Sequence, residues 1–211
     1  AEQRHFAADT RPGAWERLVG RLLARPEFGE RWARHWLDVA RYGESIGYER
    51  EGSKPNAWRF RDYVIAAFND DLPFDRFVSE QLAGDELANY ASGDPITERV
   101  VKLLTATHFL RNGQDGSGES DGNPDEVIVD RATVLEGTLQ IAMNTLLGLT
   151  NQCARCHDHK FEPITQREYY QLQAVFYPAF PALHTDLWRT PQQRLVDVPV
   201  PQELSAWQAH E

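Results

Sequence analysis

Apolar residues recur three and four positions apart along most of the chain, a spacing that is typical of helices with one buried face. Between Ala14 and Pro26 this spacing predicts a helix, and one of its faces carries the apolar residues Trp15, Leu18, Val19, Leu22 and Leu23. We find no segment with the strict alternation that indicates a half-buried strand, and no internal repeat. The pattern therefore predicts an all-α fold.

The same spacing, with the residues that start and stop helices, predicts further helices and about seven in all. Gly43 and Gly84 are the expected ends of two of them. Asp94 is an expected N-cap, and Thr165 with Glu168 forms a capping box. The predicted helices after the first cover residues 27–42, 57–69, 73–84, 94–110, 127–149 and 165–176.

The C-terminal part of the chain loses the helical pattern and gains proline. We predict a single domain over residues 1–211, with a helical core at about 13–180 and an irregular, Pro-rich tail at 181–211. A chain of 211 residues is long enough to bury one sizeable hydrophobic core. We expect the tail to run in an extended form over the surface of that core.

Charge and hydropathy exclude some partners. The formal net charge is −10, which argues against a nucleic-acid or anionic-membrane surface, because both need basic excess. No apolar run approaches the length of a membrane helix, so we expect no membrane insertion. The sequence starts with AEQRHF and shows no charged-then-apolar leader.

The motif that most clearly indicates a function is the pentapeptide Cys153-Ala154-Arg155-Cys156-His157, which contains both cysteines of the chain. It fits C-x-x-C-H, the pattern of covalent haem attachment. Two thiols three residues apart on a helical turn point the same way, so each can add to one haem vinyl group. The following histidine then lies under the ring and gives its imidazole to iron. We therefore expect haem c, with His157 as the proximal ligand.

Other uses of the two thiols remain open. A zinc site usually has four ligands, and Cys153, Cys156, His157 and His159 would crowd one ion. A dithiol oxidoreductase usually carries its cysteines in a βαβ setting, which the sequence does not indicate. A structural disulfide across three residues is strained. Inert thiols would lie in apolar surroundings, whereas this stretch is polar. We favour haem over zinc or another metal, and over dithiol chemistry or inert thiols.

Several long segments resemble one family. They are GERWARHWLDVARY, WRFRDYVIAAFN, PFDRFVSEQLAGDEL and LGLTNQCARCHDHKFEPITQREYYQLQAVF. They are similar to the second of the planctomycete-type cytochrome C domains, a domain family of unknown function with a CxxCH motif, over about residues 15–180. The resemblance implies an exported, haem-c-bearing domain of a large multidomain protein. Such domains occur beside another cytochrome-like segment, and often near sulfatases and polysaccharide-degrading enzymes.

A second axial ligand would decide between electron transfer and small-molecule chemistry. His35 is the first candidate, because Phe28, Trp32, Val39 and Tyr42 lie along its helical stripe and predict that it faces inward. A buried imidazole needs a partner, and iron could be that partner. A core histidine bonded to a carbonyl or carboxylate is the alternative, and we favour it.

Other residues near the motif have weaker expected roles. His159 is too close to His157 to reach the opposite face of the ring, so we expect it to contact a haem propionate or a carboxylate, or to lie in a polar turn. Arg155 is expected to pair with a propionate or steer an electron partner, with simple solvation slightly favoured. Met143 is expected to fill the core, and His108 is a weaker ligand candidate.

The segment from Asp115 to Glu126 has oxygen-bearing side chains at most ligand positions of an EF-hand loop. Ser120 stands where the loop requires glycine. We therefore favour a solvated acidic loop over a calcium site.

Three hypotheses follow for function. The first is a c-type cytochrome domain with one haem, relaying electrons to another domain of its parent protein or to a redox partner. The second is a haem enzyme with an open distal site, doing redox chemistry linked to polysaccharide breakdown. The third is a structural module with zinc or iron at the Cys/His cluster. Covalent haem attachment takes place outside the cytoplasm, so the first two imply a protein exported to the periplasm or cell surface.

Overall fold

The computed structural model describes residues 2–45, 52–91, 94–117, 123–184 and 186–196. Within these ranges the fold is all-α, and the only strand-like pairing is an isolated bridge between Ser45 and Ser53. The all-α prediction is therefore confirmed. The helices are α1 (Glu2–Ala8), α2 (Ala14–Leu23), α3 (Pro26–Val39), α4 (Ala57–Asn69), α5 (Phe74–Ala88), α6 (Glu98–Ala106), α7 (Pro124–Leu147) and α8 (Gln166–Phe176).

Two helices have the boundaries that their sequence signals predict. Helix α4 covers residues 57–69, as the apolar spacing indicates. The capping box of α8 is present, because the Thr165 side chain accepts from the Glu168 N–H and the Glu168 carboxylate accepts from the Thr165 N–H. This pairing satisfies donors at the helix N-terminus that have no intrahelical acceptor.

Two predicted boundaries, at Gly84 and at Asp94, are wrong. Gly84 lies inside α5, where an added Cβ would be 2.2 Å from the carbonyl oxygen of Leu103, so glycine serves a close helix contact. Helix α6 is capped by Thr97, whose hydroxyl accepts from Val100 N. Asp94 instead accepts from Ala91 N.

The end of α3 also differs from the prediction. The helix ends at Val39, and Arg41 takes the left-handed conformation (φ 54°) before Gly43 is reached. The N–H groups of Arg41 and Tyr42 then bond to the carbonyls of Asp38 and Leu37, which closes the helix end.

The buried face of α3 is not the aromatic stripe of the prediction. Its buried residues are Gly29 and Ala33, with Ala40 just beyond the helix end. A Cβ on Gly29 would lie 2.5 Å from the carbonyl oxygen of Ile65, so small side chains let α3 and α4 approach closely. His35 is consequently exposed, and the expectation that it faces inward is wrong.

Helix α2 also departs from the prediction. None of its residues is buried, and Trp15 on the predicted core face is 63% exposed. Helix α1, which the sequence pattern does not indicate, contacts it through the rings of Phe6 and Trp15. No helix of the described ranges combines the length and apolarity that crossing a membrane needs.

The long helix α7 contributes to all three hydrophobic clusters of the core. Ile141 and Ala142 join the main cluster with α3, α4 and α5, while Leu139 and Met143 form a cluster behind the cysteine segment. The third cluster joins α7 to the first part of the irregular tail. Its buried members are Val134, Leu135, Phe180, Ala182 and Trp188. Residues 197–211 lie outside the described part of the chain.

Candidate functional site

The cysteine segment forms a short turn after α7. Gly148 ends that helix in the left-handed conformation (φ 66°), and residues Gln152–Arg155 then make one turn of 3-10 helix. The carbonyl of Cys153 accepts from the N–H groups of both Cys156 and His157, at 3.2 and 3.3 Å. One tight turn therefore holds both thiols and the imidazole.

Ala154 fixes this turn to the core. Its side chain is fully buried and joins the cluster of Leu139, Met143, Ile164 and Tyr169. The neighbouring Cys153 and Cys156 are exposed, since one turn cannot bury all of its side chains. Met143 is core filler behind the turn, as expected.

A surface cavity of about 390 Å³ opens beside the turn. Its volume lies in the range of small-molecule sites. Both thiols are free and contribute to its wall, so they are available to one ligand. The lining residues are Glu136, Gln152, Cys153, Arg155, Cys156, His157 and Tyr169.

The imidazole of His157 is oriented by the backbone. Its Nδ1 lies 2.8 Å from the carbonyl oxygen of Asp158. A carbonyl oxygen only accepts, so Nδ1 carries the proton and Nε2 keeps its lone pair. Metal-binding histidines are commonly held in this way, with one nitrogen donating to a carbonyl and the other free for the metal.

Arg155 borders the cavity and is already paired. Its Nη1 donates to the Glu136 carboxylate over 2.7 Å, and this bond, followed by a bond to Cys156, raises the pKa of the guanidinium above its usual value. Its side chain is half exposed, at 53%. The predicted contact with a haem propionate stays a prediction, and such a contact would have to share Arg155 with Glu136.

His159 does not line the cavity. Its Nδ1 accepts from the N–H groups of Phe161 and Glu162, and its Nε2 lies 3.3 Å from the hydroxyl of Thr150. Nδ1 thus closes the loop after the turn on itself, and Nε2 connects that loop to the loop before the turn. The geometry favours the polar-turn interpretation over a contact with a cofactor.

Residues of α8 hold the cysteine turn in place through hydrogen bonds. The sequence pattern does not indicate these contacts. The carbonyl of Arg155 accepts from the Gln166 side chain and from the Tyr170 hydroxyl, both at 3.1 Å. The carboxylate of Asp158 accepts from Gln166 N at 2.8 Å. Tyr169 is buried against the Tyr170 ring, and burial raises the pKa of its hydroxyl to about 12.

The other predicted ligand positions lie away from the cavity. His35 is exposed on α3, where its Nε2 lies 2.9 Å from the guanidinium of Arg31. The ring of His108 instead packs near Phe60, with 5.6 Å between centroids. Neither histidine is among the residues that line the cavity, so the structure gives no support to either as an axial ligand there.

The segment from Asp115 to Glu126, predicted as a solvated acidic loop, is buried at its start. Asp115 Oδ1 accepts from the N–H of Ser117, and its Oδ2 accepts from Arg194. Residues 118–122 of that loop lie outside the described part of the chain. Among the described residues no three His, Cys, Asp or Glu side chains are grouped to hold a metal ion. The zinc or iron module of the third hypothesis therefore has no support from this geometry.

The fold and the site define an all-α domain with a Cys-x-x-Cys-His turn beside a surface cavity. The chain belongs to the family PSCyt2, described as "Protein of unknown function (DUF1549)", whose sequence model matches residues 1–179. This is a planctomycete cytochrome-domain family of unknown function, so the resemblance seen in the sequence is confirmed at the level of the family. No curated protein and no solved structure matches the chain.

Proposed function

We propose that the chain is a c-type cytochrome domain that binds one haem through Cys153 and Cys156, with His157 as the proximal iron ligand. One observation carries the proposal. The Nδ1–H of His157 is held by the Asp158 carbonyl, which leaves Nε2 free on the same cavity wall as two free thiols. This donor set fits haem c, because attachment needs two thiols and iron needs one imidazole lone pair.

The chain would supply the two thiols for attachment, and haem-c attachment machinery would carry the reaction out. Cys153 and Cys156 would each hold the haem through a thioether bond, with the S–H adding across one vinyl C=C and its hydrogen going to the neighbouring vinyl carbon. The addition is redox-neutral and needs no oxidant. The buried Ala154 and the two hydrogen bonds that the Cys153 carbonyl accepts from the N–H groups of Cys156 and His157 hold the two sulfurs on one turn.

The role that we propose is electron transfer. When bound, the iron supplies one-electron redox chemistry. Cys153, Cys156 and His157 are all exposed, so the attached edge would lie at the surface, where a partner can approach it. We infer that the partner is another domain of the same parent protein or a separate redox protein. Because this attachment takes place outside the cytoplasm, we also propose export to the periplasm or cell surface.

A second candidate function rests on the composition of the cavity wall. Among the described residues that line it, His157 is the only imidazole and none is a thioether. This wall offers no second strong iron ligand beside His157, so a haem held there would supply redox chemistry with a small molecule. The alternative is then a haem enzyme with redox chemistry on a bound substrate, including one derived from polysaccharide.

Optical spectra of two matched variants test the proposal. The chain is matured with haem-c attachment machinery, and His157→Ala is compared with His159→Ala. We expect His157→Ala to change the spectrum of the bound iron, because its proximal ligand is gone. His159→Ala should keep the wild-type spectrum, since its ring only ties two loops together. Equal effects of both substitutions would contradict the ligand assignment.

The same samples separate the two candidate functions. A low-spin spectrum that cyanide and carbon monoxide leave unchanged supports electron transfer, because both axial positions are then filled. A high-spin spectrum that shifts when either ligand is added supports the enzyme.

A further inference from the structure

A group of basic side chains is partly buried on the side of the domain that holds the segment 186–196. We call Lys54, Arg111 and Arg194, with the carboxylate of Asp115, the basic cluster. Lys54 Nζ donates to the Arg111 carbonyl, and Arg111 Nη2 donates to the Pro191 carbonyl, both over 3.0 Å. Arg194 Nη1 lies 3.3 Å from Asp115 Oδ2. No residue of the cluster lines the cavity beside the cysteines.

The basic cluster carries more positive than negative charge. Three cations face one carboxylate, and the side chains of Arg194 and Asp115 are only 13% and 10% exposed. Burial, then the charge of Arg194, lowers the pKa of Arg111 to about 10, and burial also lowers the pKa of Lys54 and Arg194. Uncompensated buried charge is costly in a folded protein. The excess is also local, because the whole chain has a net charge of −10.

Polar atoms around the basic cluster have no hydrogen-bond partner among the described residues. They include Nη2 of Arg194 and both side-chain polar atoms of Asn112, which follows Arg111 directly. His108 Nε2 is a further example, and burial followed by the charges of Lys54 and Arg111 lowers the pKa of its imidazole to about 3. Buried polar groups are normally paired, so unpaired atoms beside an excess of positive charge indicate a missing partner.

A bound anion would account for both observations, the excess of positive charge and the unpaired polar atoms. Ordered water could satisfy the N–H groups, but it would leave the charge of three cations against one carboxylate uncompensated. We propose that the basic cluster binds the oxyanion group of a small ligand, with Arg194 and Arg111 as its charged contacts and the Asn112 amide as a further donor. Carboxylate, phosphate and sulfate share this chemistry, and a guanidinium binds each of them through paired N–H groups.

Thermal unfolding in different salts tests the site on the whole chain. Inorganic phosphate, sulfate and acetate are compared with chloride at the same ionic strength, which holds general screening constant. We expect at least one oxyanion to raise the midpoint in a saturable way, because a ligand of the folded state alone stabilises it. A response to phosphate and sulfate indicates a tetrahedral ligand group, and a response to acetate indicates a carboxylate. If no oxyanion exceeds chloride, the proposal is overturned.

Two matched substitutions localise the effect. Arg194→Gln should weaken the oxyanion response about tenfold or more, the usual consequence of losing one charge-assisted hydrogen bond. Arg189→Gln makes the same charge change at an exposed residue of the same segment and should leave the response intact. An equal loss in both variants would contradict the assignment.

Two further controls keep the result interpretable. If Arg194→Gln does not fold, hydrogen exchange of the wild-type chain tests the site instead. Phosphate, sulfate or acetate, whichever raises the midpoint, should protect residues 107–112 and 186–196, and an unchanged exchange pattern with all three overturns the site. The double variant Cys153→Ala, Cys156→Ala should respond like the wild type. The test of the oxyanion site is therefore independent of whether the chain attaches haem.

Discussion

The first turn of α8 supports the candidate haem site, so its capping box offers a sharp test of the structure. Thr165→Ala removes the hydroxyl that accepts from Glu168 N and donates to Glu168 Oε2. Loss of a threonine N-cap costs about 1 kcal/mol, within a range of about 0.5–2 kcal/mol. For a chain of this size, about 1 kcal/mol lowers the unfolding midpoint by about 2–4 °C.

Circular dichroism melts and urea titrations measure this loss. Thr165→Ser is the matched control, because it keeps the hydroxyl and should lie within a few tenths of a degree to about 1 °C of the wild type. A wild-type midpoint for Thr165→Ala, or an equal fall for Thr165→Ser, would refute the role of the cap.

The cap also predicts a pH dependence. Bonds from the N–H and hydroxyl of Thr165 lower the pKa of Glu168 below its ordinary value of 4.5. The unfolded chain therefore takes up the proton first, and the stabilising effect of the ionised carboxylate is present above pH 4.5 and lost as the pH falls through the folded-state pKa. We expect the stability difference between the wild type and Thr165→Ala to shrink over that interval.

The remaining predictions concern packing and acid stability. Gly84→Ala places a Cβ 2.2 Å from the Leu103 carbonyl oxygen and should cost about 1–3 kcal/mol in urea titrations. Gly20→Ala, with no atom within 4 Å of its new Cβ, should stabilise by about 0.5–1 kcal/mol, and the opposite order would contradict the α5–α6 contact. Burial lowers the pKa of His108 from 6.5 to about 3, so wild-type stability should fall as the pH decreases through that interval. His108→Gln should fall less steeply, and parallel pH profiles would refute the burial.

Local signals in the sequence predict the helices well, because they act within a few residues. The apolar spacing of α4 and the capping box at Thr165 both involve contacts inside one element. The Cys-x-x-Cys-His turn belongs to the same class, since its geometry depends on bonds to the Cys153 carbonyl. The candidate site could therefore be found from the sequence alone.

Contacts between elements were less predictable. The buried face of α3 was misassigned because large aromatic residues mark a stripe, whereas close packing on α4 selects the small Gly29 and Ala33. Proline predicts the irregular structure of the tail but not which of its residues are buried, and the burial of Trp188 is visible only in the fold. The basic cluster joins Lys54 to Arg194, and no local pattern connects residues so far apart in the chain.

The contacts that hold the cysteine turn in place also join separate elements, so local sequence patterns do not predict them. The bonds of Gln166 and Tyr170 to the Arg155 carbonyl cross from one element to another. Only the fold shows that α8 holds the turn in place. The carboxylate of Asp158 caps α8 while its carbonyl orients His157, so one residue couples the helix to the imidazole.

Haem retention after denaturation is the most direct test of the central claim. The chain is produced with haem-c attachment machinery, separated on a denaturing gel, stained for peroxidase activity and weighed intact. We predict one haem per chain in the wild type, one remaining thioether link in Cys153→Ala or Cys156→Ala, and no covalent haem in the double variant. A wild-type chain with the mass of the bare polypeptide and no stain would contradict the account.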